Sequence, residues 1–276
     1  MTETDEFLAR YGPWALVTGA SSGIGEHLAR RLAARGCNLV VAARRIERLE
    51  MLARDLRAVD RVEVEVLQLD LGEPRFLEHV MTACDDKDVG LIVSNAGLGL
   101  KGLHAEQSDE RLDALLAVNC RAPMLLSRAF APRLLARGRG GIVLVGSIEG
   151  FQGYPYSAAY AASKGFVHSL GEGLWGELAP GGVDVLVVAP GGTDTEILAD
   201  QGIDKKALVG VMAPGDVAER AISHLGRGPV YVVGASNKAL VGALRLMPRR
   251  LALRAAGAGM RQTLDRSERR RKRAAG

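Results

Sequence analysis

The sequence predicts an α/β fold, a doubly wound parallel sheet of about seven strands in a single domain with a basic helical extension at its C-terminus. Three observations predict it. Short β-rich apolar runs alternate with helix-period segments, a glycine-rich turn joins the first run to the first helix, and no internal repeat interrupts the alternation.

The runs fall in order. Residues 14–19 (WALVTG) precede a helix over 23–35, and 37–43 (CNLVVAA) precede one over 45–58. Residues 62–69 (VEVEVLQL) lead to 73–84, and 88–95 (DVGLIVSN) lead to a long helical stretch over 107–136. Then come 140–147 (GGIVLVGS) with a helix over 157–178, 183–190 (VDVLVVAP) with a helix near 215–225, and 228–234 (GPVYVVG). Near-continuous apolar runs are what strands buried on both faces require. The chain divides as an N-terminal arm (1–11), a core domain (12–237) containing a long loop over about 192–213, and the extension 238–276. A loop of that length after a strand's C-terminal end is expected to bind ligand, because ligands of open α/β sheets bind at that edge.

Apolar residues make up 47% of the chain and aromatics 4%, so the core is aliphatic and the chain is not of the disordered class. The acidic opening MTETDEFLAR lacks the pattern of a secretory leader, and no apolar run is long enough for a spanning helix; a cytoplasmic protein is expected. Cys37, Cys84 and Cys120 are scattered without a CxxC spacing, so neither a metal site nor a disulfide framework is predicted. Residues 238–276 hold 12 Lys and Arg against 2 acids, whereas the remainder holds 24 against 30. The net charge of +4 hides an acidic body with a basic tail.

The turn TGASSGIG, residues 18–25, places Gly19, Gly23 and Gly25 where the backbone must turn tightly and start a helix whose free N–H groups favour an anion. It is a phosphate-binding candidate with GxxxGxG spacing, the alternative being a capping turn without ligand. After the second strand, where a carboxylate would receive an unphosphorylated ribose, stand Arg44 and Arg45. Arg44 can take a 2′-phosphate, so NADP(H) is favoured with NAD(H) admitted, the alternative being two arginines capping the next helix. Asp70 with Leu71, and Asn95, Ala96 and Gly97, end the third and fourth strands on the same edge, where the small residues let a flat ring approach. YAASK, residues 160–164, sets Tyr160 and Lys164 on one helix face.

With TGASSGIG, the NAG of 95–97, Asn119 in AVNC, Ser147 in VLVGS and YAASK, the sequence resembles the short-chain dehydrogenase/reductase family in its NADP-preferring form, over about residues 12–234. The resemblance implies a Rossmann-like fold and a catalytic set of Asn119, Ser147, Tyr160 and Lys164. Tyr160 would be the general acid/base, Lys164 would favour its phenolate and hold the nicotinamide ribose, Ser147 would bind the substrate oxygen, and Asn119 would hold a relay water. The implied cofactor contacts are Gly19, Ser21, Ser22, Gly23, Ile24, Gly25, Arg44, Arg45, Asp70, Leu71, Asn95, Ala96, Gly97, Tyr160 and Lys164. The PGGTDTE segment adds Pro190, Gly191, Thr193 and Thr195. Departures from the family pattern are Thr193 for Val, Ser94 for Asn, and Gly146 before the serine.

Phe151, Tyr154, Tyr156, Ile197, Leu198, Leu208, Val209 and Met212 are expected to wall an apolar cleft for a hydrophobic carbonyl compound or secondary alcohol, unless they simply cover the core. The tail reads as short amphipathic helices broken at Pro248. It would pack on this or a neighbouring subunit, or lie on an anionic membrane surface. No nucleic-acid module is recognised, so no specific nucleic-acid partner is expected. A homodimer or homotetramer through 107–136 and 157–178 is the family's expectation. Competing readings are a non-enzymatic dinucleotide sensor acting through the tail, and a dehydratase or epimerase with tightly held cofactor.

Overall fold

The computed structural model describes residues 2–208 and 210–275. Among them seven strands, β1 (Trp14–Thr18), β2 (Asn38–Ala43), β3 (Val64–Gln68), β4 (Val89–Ser94), β5 (Gly140–Val145), β6 (Val183–Ala189) and β7 (Val230–Val232), form one sheet. Its order is β3-β2-β1-β4-β5-β6-β7 and every pairing is parallel. The order reverses between β1 and β4, where crossovers leave in opposite directions and a crevice opens at the strands' C-terminal ends.

Around the sheet the described residues form the helices α1 (Glu3–Tyr11), α2 (Gly23–Ala33), α3 (Ile46–Val59), α4 (Phe76–Ala83), α5 (Asp109–Leu116), α6 (Ala122–Arg137), α7 (Ala158–Leu178), α8 (Glu196–Asp200), α9 (Pro214–His224), α10 (Ala235–Leu246) and α11 (Arg249–Ala275). Successive strand residues point to opposite faces, and the core divides accordingly. On one face Leu28 and Leu32 of α2, Leu49 and Leu56 of α3, and Val217 and Ala221 of α9 pack on Val17, Val41, Val93 and Val188. On the other, Phe76 of α4, Leu126 and Phe130 of α6 and Val167 of α7 pack on Leu16, Val40, Ile92 and Val187.

Two sequence expectations need revision, and the N-terminal arm, without a predicted structure, gains one. The stretch 107–136 is not one helix: a π-turn over Ala117–Arg121 separates α5 from α6, beside Pro123, which has no N–H to continue the α ladder. The N-terminal arm is a helix closed by a Thr2–Asp5 capping box and anchored where Arg10 Nε and Tyr11 Oη both donate to Asp184 at 2.6 Å. The extension begins at Ala235 and does break at Pro248, but beyond the proline the chain runs as one helix of 27 residues, not short pieces.

That long helix is held by packing against its own chain. Ala252, Ala256 and Met260, one helical face, are buried, and Gly257 is so close to Pro155 that a Cβ there would lie 3.1 Å from the ring. Ser267, fully buried, accepts from the Asp204 N–H at 3.0 Å. The Arg261 guanidinium donates to the Tyr156 hydroxyl. Thus α11 ties the 151–157 segment to the 196–207 segment. Among the described residues no helix is long and apolar enough to cross a membrane.

Helix α7 offers a matched test of packing at the sheet. A Cβ at Gly171 would lie 2.1 Å from Val187 Cγ2, whereas at Gly173 it would meet nothing within 4 Å. Gly173→Ala is expected to stabilise by up to about 1 kcal/mol through helix propensity. Gly171→Ala should destabilise by about 1–3 kcal/mol because overpacking exceeds that gain. Urea unfolding of the two variants checks this, and stabilisation by both would contradict the packing.

Candidate active site

The crevice begins with a clamp between the two central strands. The Thr18 hydroxyl accepts from the Asn95 and Ala96 N–H groups at 3.0 and 3.2 Å, while Asn95 Nδ2 donates to the Thr18 carbonyl at 3.0 Å. Gly19 then turns the chain with φ +67°, and α2 starts at Gly23 with Ser22 as its N-cap. The free N–H groups at that helix start face the turn. Gly25 plays a different part: a Cβ there would sit 2.3 Å from both Gly19 O and Asn95 Nδ2, so glycine lets the helix press against the clamp.

Of the sequence-predicted residues, Gly19, Ser21, Ser22, Gly23, Ile24, Arg44, Arg45, Asp70, Leu71, Asn95, Ala96, Gly97, Ser147, Tyr160, Lys164, Pro190, Gly191, Thr193 and Thr195 line one cleft of about 1010 Å³. Gly25 and Asn119 do not line it; both stand behind its wall. The strand order lays the groups out in sequence across the edge: Asp70 after β3, the arginines after β2, the glycine turn after β1, Asn95 after β4, Ser147 after β5 and Pro190 after β6.

At the β2 end Arg44 and Arg45 both line the cleft, and Arg45 also engages the glycine turn. Its guanidinium donates to Ser21 Oγ at 3.1 Å and Ser22 Oγ at 2.8 Å, and to Glu196 Oε2 at 2.6 Å. Arg48, one helical turn on, donates to Glu196 Oε1 at 2.5 Å. The two guanidinium hydrogen bonds hold the Glu196 carboxyl down to about 2. Two cations already grip a carboxylate beside the two serine hydroxyls that Arg45 also holds, so the donor set fits an anionic group, and the residues present fit a phosphorylated dinucleotide. Asp70 Oδ1 closes a turn by accepting from the Gly72 N–H at 2.8 Å.

At the β5 end, Ser147, Tyr160 and Lys164 are all buried, with exposures of 7%, 8% and 4%. The Glu149 N–H donates to Ser147 Oγ at 3.2 Å. Lys164 Nζ donates to the Val145 carbonyl at 2.8 Å and lies 5.8 Å from the Tyr160 ring centre. Asn119 sits in the π-turn; its Nδ2 donates to Leu98 O at 2.9 Å and Ser163 Oγ at 3.0 Å, and its Oδ1 accepts from the Leu98 N–H at 2.8 Å. A Cβ on Gly97 would lie 3.3 Å from Lys164 Nζ and 3.5 Å from Asn119 Oδ1, so glycine keeps open the space between them.

Burial governs the charge states. It pushes the Lys164 ammonium down to about 8 and the Tyr160 phenol well above its ordinary value; the Glu149 carboxylate adds to the tyrosine shift and a hydrogen bond with Ser147 opposes it. In the free protein both groups are thus driven toward their neutral forms.

Beside Tyr160 lies a pair that sequence reasoning missed. Lys101 Nζ donates to both oxygens of Glu149 at 2.6 Å and to Ser157 Oγ at 2.7 Å, 4.8 Å from the Tyr160 ring centre. The partners are 48 residues apart, and no local motif signals them. Arg48 could have been found from its position one turn beyond Arg45.

The substrate wall also differs from expectation. Tyr154, Ile197, Leu198 and Leu208 line the cleft. Phe151 instead meets His168 edge-on at 4.5 Å, Tyr156 turns out to Arg261, and Met212 packs into the core; Val209 lies outside the described residues. Their place is taken by Leu240 of α10 and Met260, Gln262 and Thr263 of α11, so the extension forms part of the cleft itself.

A sequence profile described as short chain dehydrogenase matches residues 13–206. The 7beta-hydroxysteroid dehydrogenase of Clostridium sardiniense is 33% identical over 233 residues, 84% of this chain and 89% of that protein. The very-long-chain 3-oxoacyl-CoA reductase of Podospora anserina is 35% identical over 184 residues, 64% of this chain but only 54% of its own length. Among solved structures, a short-chain dehydrogenase from Sphingobium yanoikuyae in complex with NADPH is 39% identical, with TM-score 0.77 and coverage of 85% and 94%. The bulky-bulky ketone specific alcohol dehydrogenase from Comamonas testosteroni is 33% identical, with TM-score 0.73 and coverage of 87% and 96%.

The Lys101 and Glu149 side chains are 2% and 16% exposed, which makes their pair sensitive to loss of one partner. Lys101→Met is expected to cost about 3–5 kcal/mol by stranding the carboxylate. Removing Glu149 as well, in the double variant with Leu, should restore most of that loss in urea unfolding; a double variant no more stable than the single one would contradict the pairing.

Proposed function

The chain belongs to the short-chain dehydrogenase family, and on that premise we propose that it is an NADP(H)-dependent oxidoreductase interconverting bulky apolar ketones and secondary alcohols. The observation that carries the reading is that Ser147, Tyr160 and Lys164 share one cleft with the glycine turn, the Arg45 clamp and an apolar wall from α8, α10 and α11. Three of the similar proteins named above are described by steroid, very-long-chain acyl-CoA and bulky ketone substrates, and a fourth is in complex with NADPH.

The bound dinucleotide would supply or accept the hydride at the substrate carbon. Everything else falls to this chain. Arg45 and Arg48, with Arg44 beside them in the cleft, would hold the adenosine 2′-phosphate, the start of α2 would receive the pyrophosphate, and the small residues Ala96 and Gly97 would leave room for a flat ring. In reduction Tyr160, neutral because it is buried, gives its proton to the substrate oxygen while Ser147 donates a hydrogen bond to that atom. Lys164 and Asn119 border the space beside Gly97, where a water can carry a proton toward solvent. In oxidation Tyr160 first gives up its proton toward solvent through the space beside Gly97, the Lys164 ammonium favours the phenolate so formed, and the phenolate takes the proton of the alcohol.

A non-enzymatic sensor would have no use for three buried reacting groups at one cleft, so the catalytic reading is preferred to it. It is preferred to a dehydratase or epimerase because the relatives' described reactions are those of dehydrogenases and reductases. Assembly with a second copy through α5, α6 and α7 is supported by exposed Leu116, Met124, Phe166 and Trp175. Peripheral contact with an anionic bilayer is supported at the Pro248 corner, where Leu246 is 89% exposed and Met247, Leu251, Arg249 and Arg250 are exposed beside it.

The test is consumption of NADPH by the purified protein with a panel of bulky apolar ketones, followed across pH. The free-enzyme profile, kcat/KM for the cofactor, should fall about tenfold per pH unit above about 8, as buried Lys164 loses its proton. A profile flat to pH ~10, near the reference lysine value, would contradict that role. Failure of every carbonyl in the panel would contradict the function.

A further inference from the structure

The acidic group in the arginine clamp is the observation that leads beyond cofactor choice. Glu196 is the first residue of α8, and its carboxylate spans Arg45 at 2.6 Å and Arg48 at 2.5 Å. Arg45 at the same time holds the hydroxyls of Ser21 and Ser22 in the glycine turn. The carboxylate is ionised at any physiological pH, since the two arginines hold it near 2. It therefore satisfies the donors that an incoming phosphate monoester would need. It also belongs to the segment that supplies Ile197, Leu198, Ala207 and Leu208 to the substrate side of the cleft. Nearby charges do not replace it: Asp194 is paired with Lys205 at 2.7 Å, and Arg44 has no ion pair among the described residues.

We propose that Glu196 is an internal competitor for the 2′-phosphate, so that a phosphorylated dinucleotide must displace it from Arg45 and Arg48 and in doing so releases the substrate-loop segment, whereas an unphosphorylated one leaves it in place. The inference rests on the proposed NADP(H) reading. It makes Glu196 a determinant of cofactor selectivity that works against the phosphate. It also makes the position of the substrate loop depend on which dinucleotide is bound. The linkage is reciprocal: whatever holds the loop by its Glu196 contacts weakens phosphate binding by the same factor.

The experiment is a fluorescence titration of wild type and Glu196→Gln with NADPH and with NADH, joined to hydrogen exchange of the 196–208 backbone in wild type with each dinucleotide. The glutamate side chain is 47% exposed, so the variant is expected to fold normally. Glu196→Gln should tighten NADPH about tenfold and leave NADH within twofold, a difference of about 1.4 kcal/mol. Exchange over 196–208 in wild type should change with NADPH and not with NADH. If wild type prefers NADPH but the substitution leaves its affinity unchanged or weakens it, Glu196 orients the arginines and the inference is overturned while the cofactor reading stands. If neither protein prefers NADPH, the cofactor reading falls and the inference falls with it.

Discussion

The reciprocal hydrogen bonding of Thr18 and Asn95 fixes the ends of β1 and β4 at the point where the sheet order reverses. A parallel sheet leaves its crevice at this position, but the crevice has a definite width only if the two strand ends are locked together. The glycine turn rests on that lock through Gly25, whose missing Cβ is filled by Gly19 O and Asn95 Nδ2. Ala96 and Gly97 come directly after Asn95, and Gly97 borders Lys164 and Asn119. A disturbance of the clamp would thus reach the phosphate end and the reacting end together.

Burial is the second organising term. Tyr160 and Lys164 lie beneath the cleft surface, and burial above all drives them toward neutrality, the phenol up and the ammonium down. The protein keeps the tyrosine in its proton-donating form without a cofactor. The neighbouring Lys101–Glu149 pair is also buried, and it braces Ser157 and the turn after Ser147.

How much of the molecule is legible in the sequence depends on range. The strands, most of the helices and the glycine turn depend on neighbours a few residues away, and their periodicity and spacing announce them. That the residues of the cleft meet is legible because they cluster in short motifs at strand ends. Lys101 with Glu149, and Glu196 with Arg45 and Arg48, depend on side chains from distant segments meeting in space, and nothing local marks them. The tail shows the same limit: its break at Pro248 is visible, but the burial of Ala252, Ala256 and Met260 against the body, which makes it a cleft wall, is not. Phe151 and Tyr156 fail as wall residues because aromatic character does not tell which way a turn directs a side chain.

On the proposed function, the buried tyrosine moves the proton while the dinucleotide is held independently of it. The most direct measurement compares Tyr160→Phe with wild type for NADPH affinity and for single-turnover hydride transfer to a reducible ketone. Affinity should stay within about twofold and the transfer rate should fall by about 10²–10⁴-fold, the usual worth of a positioned general acid. Transfer at the wild-type rate would contradict it.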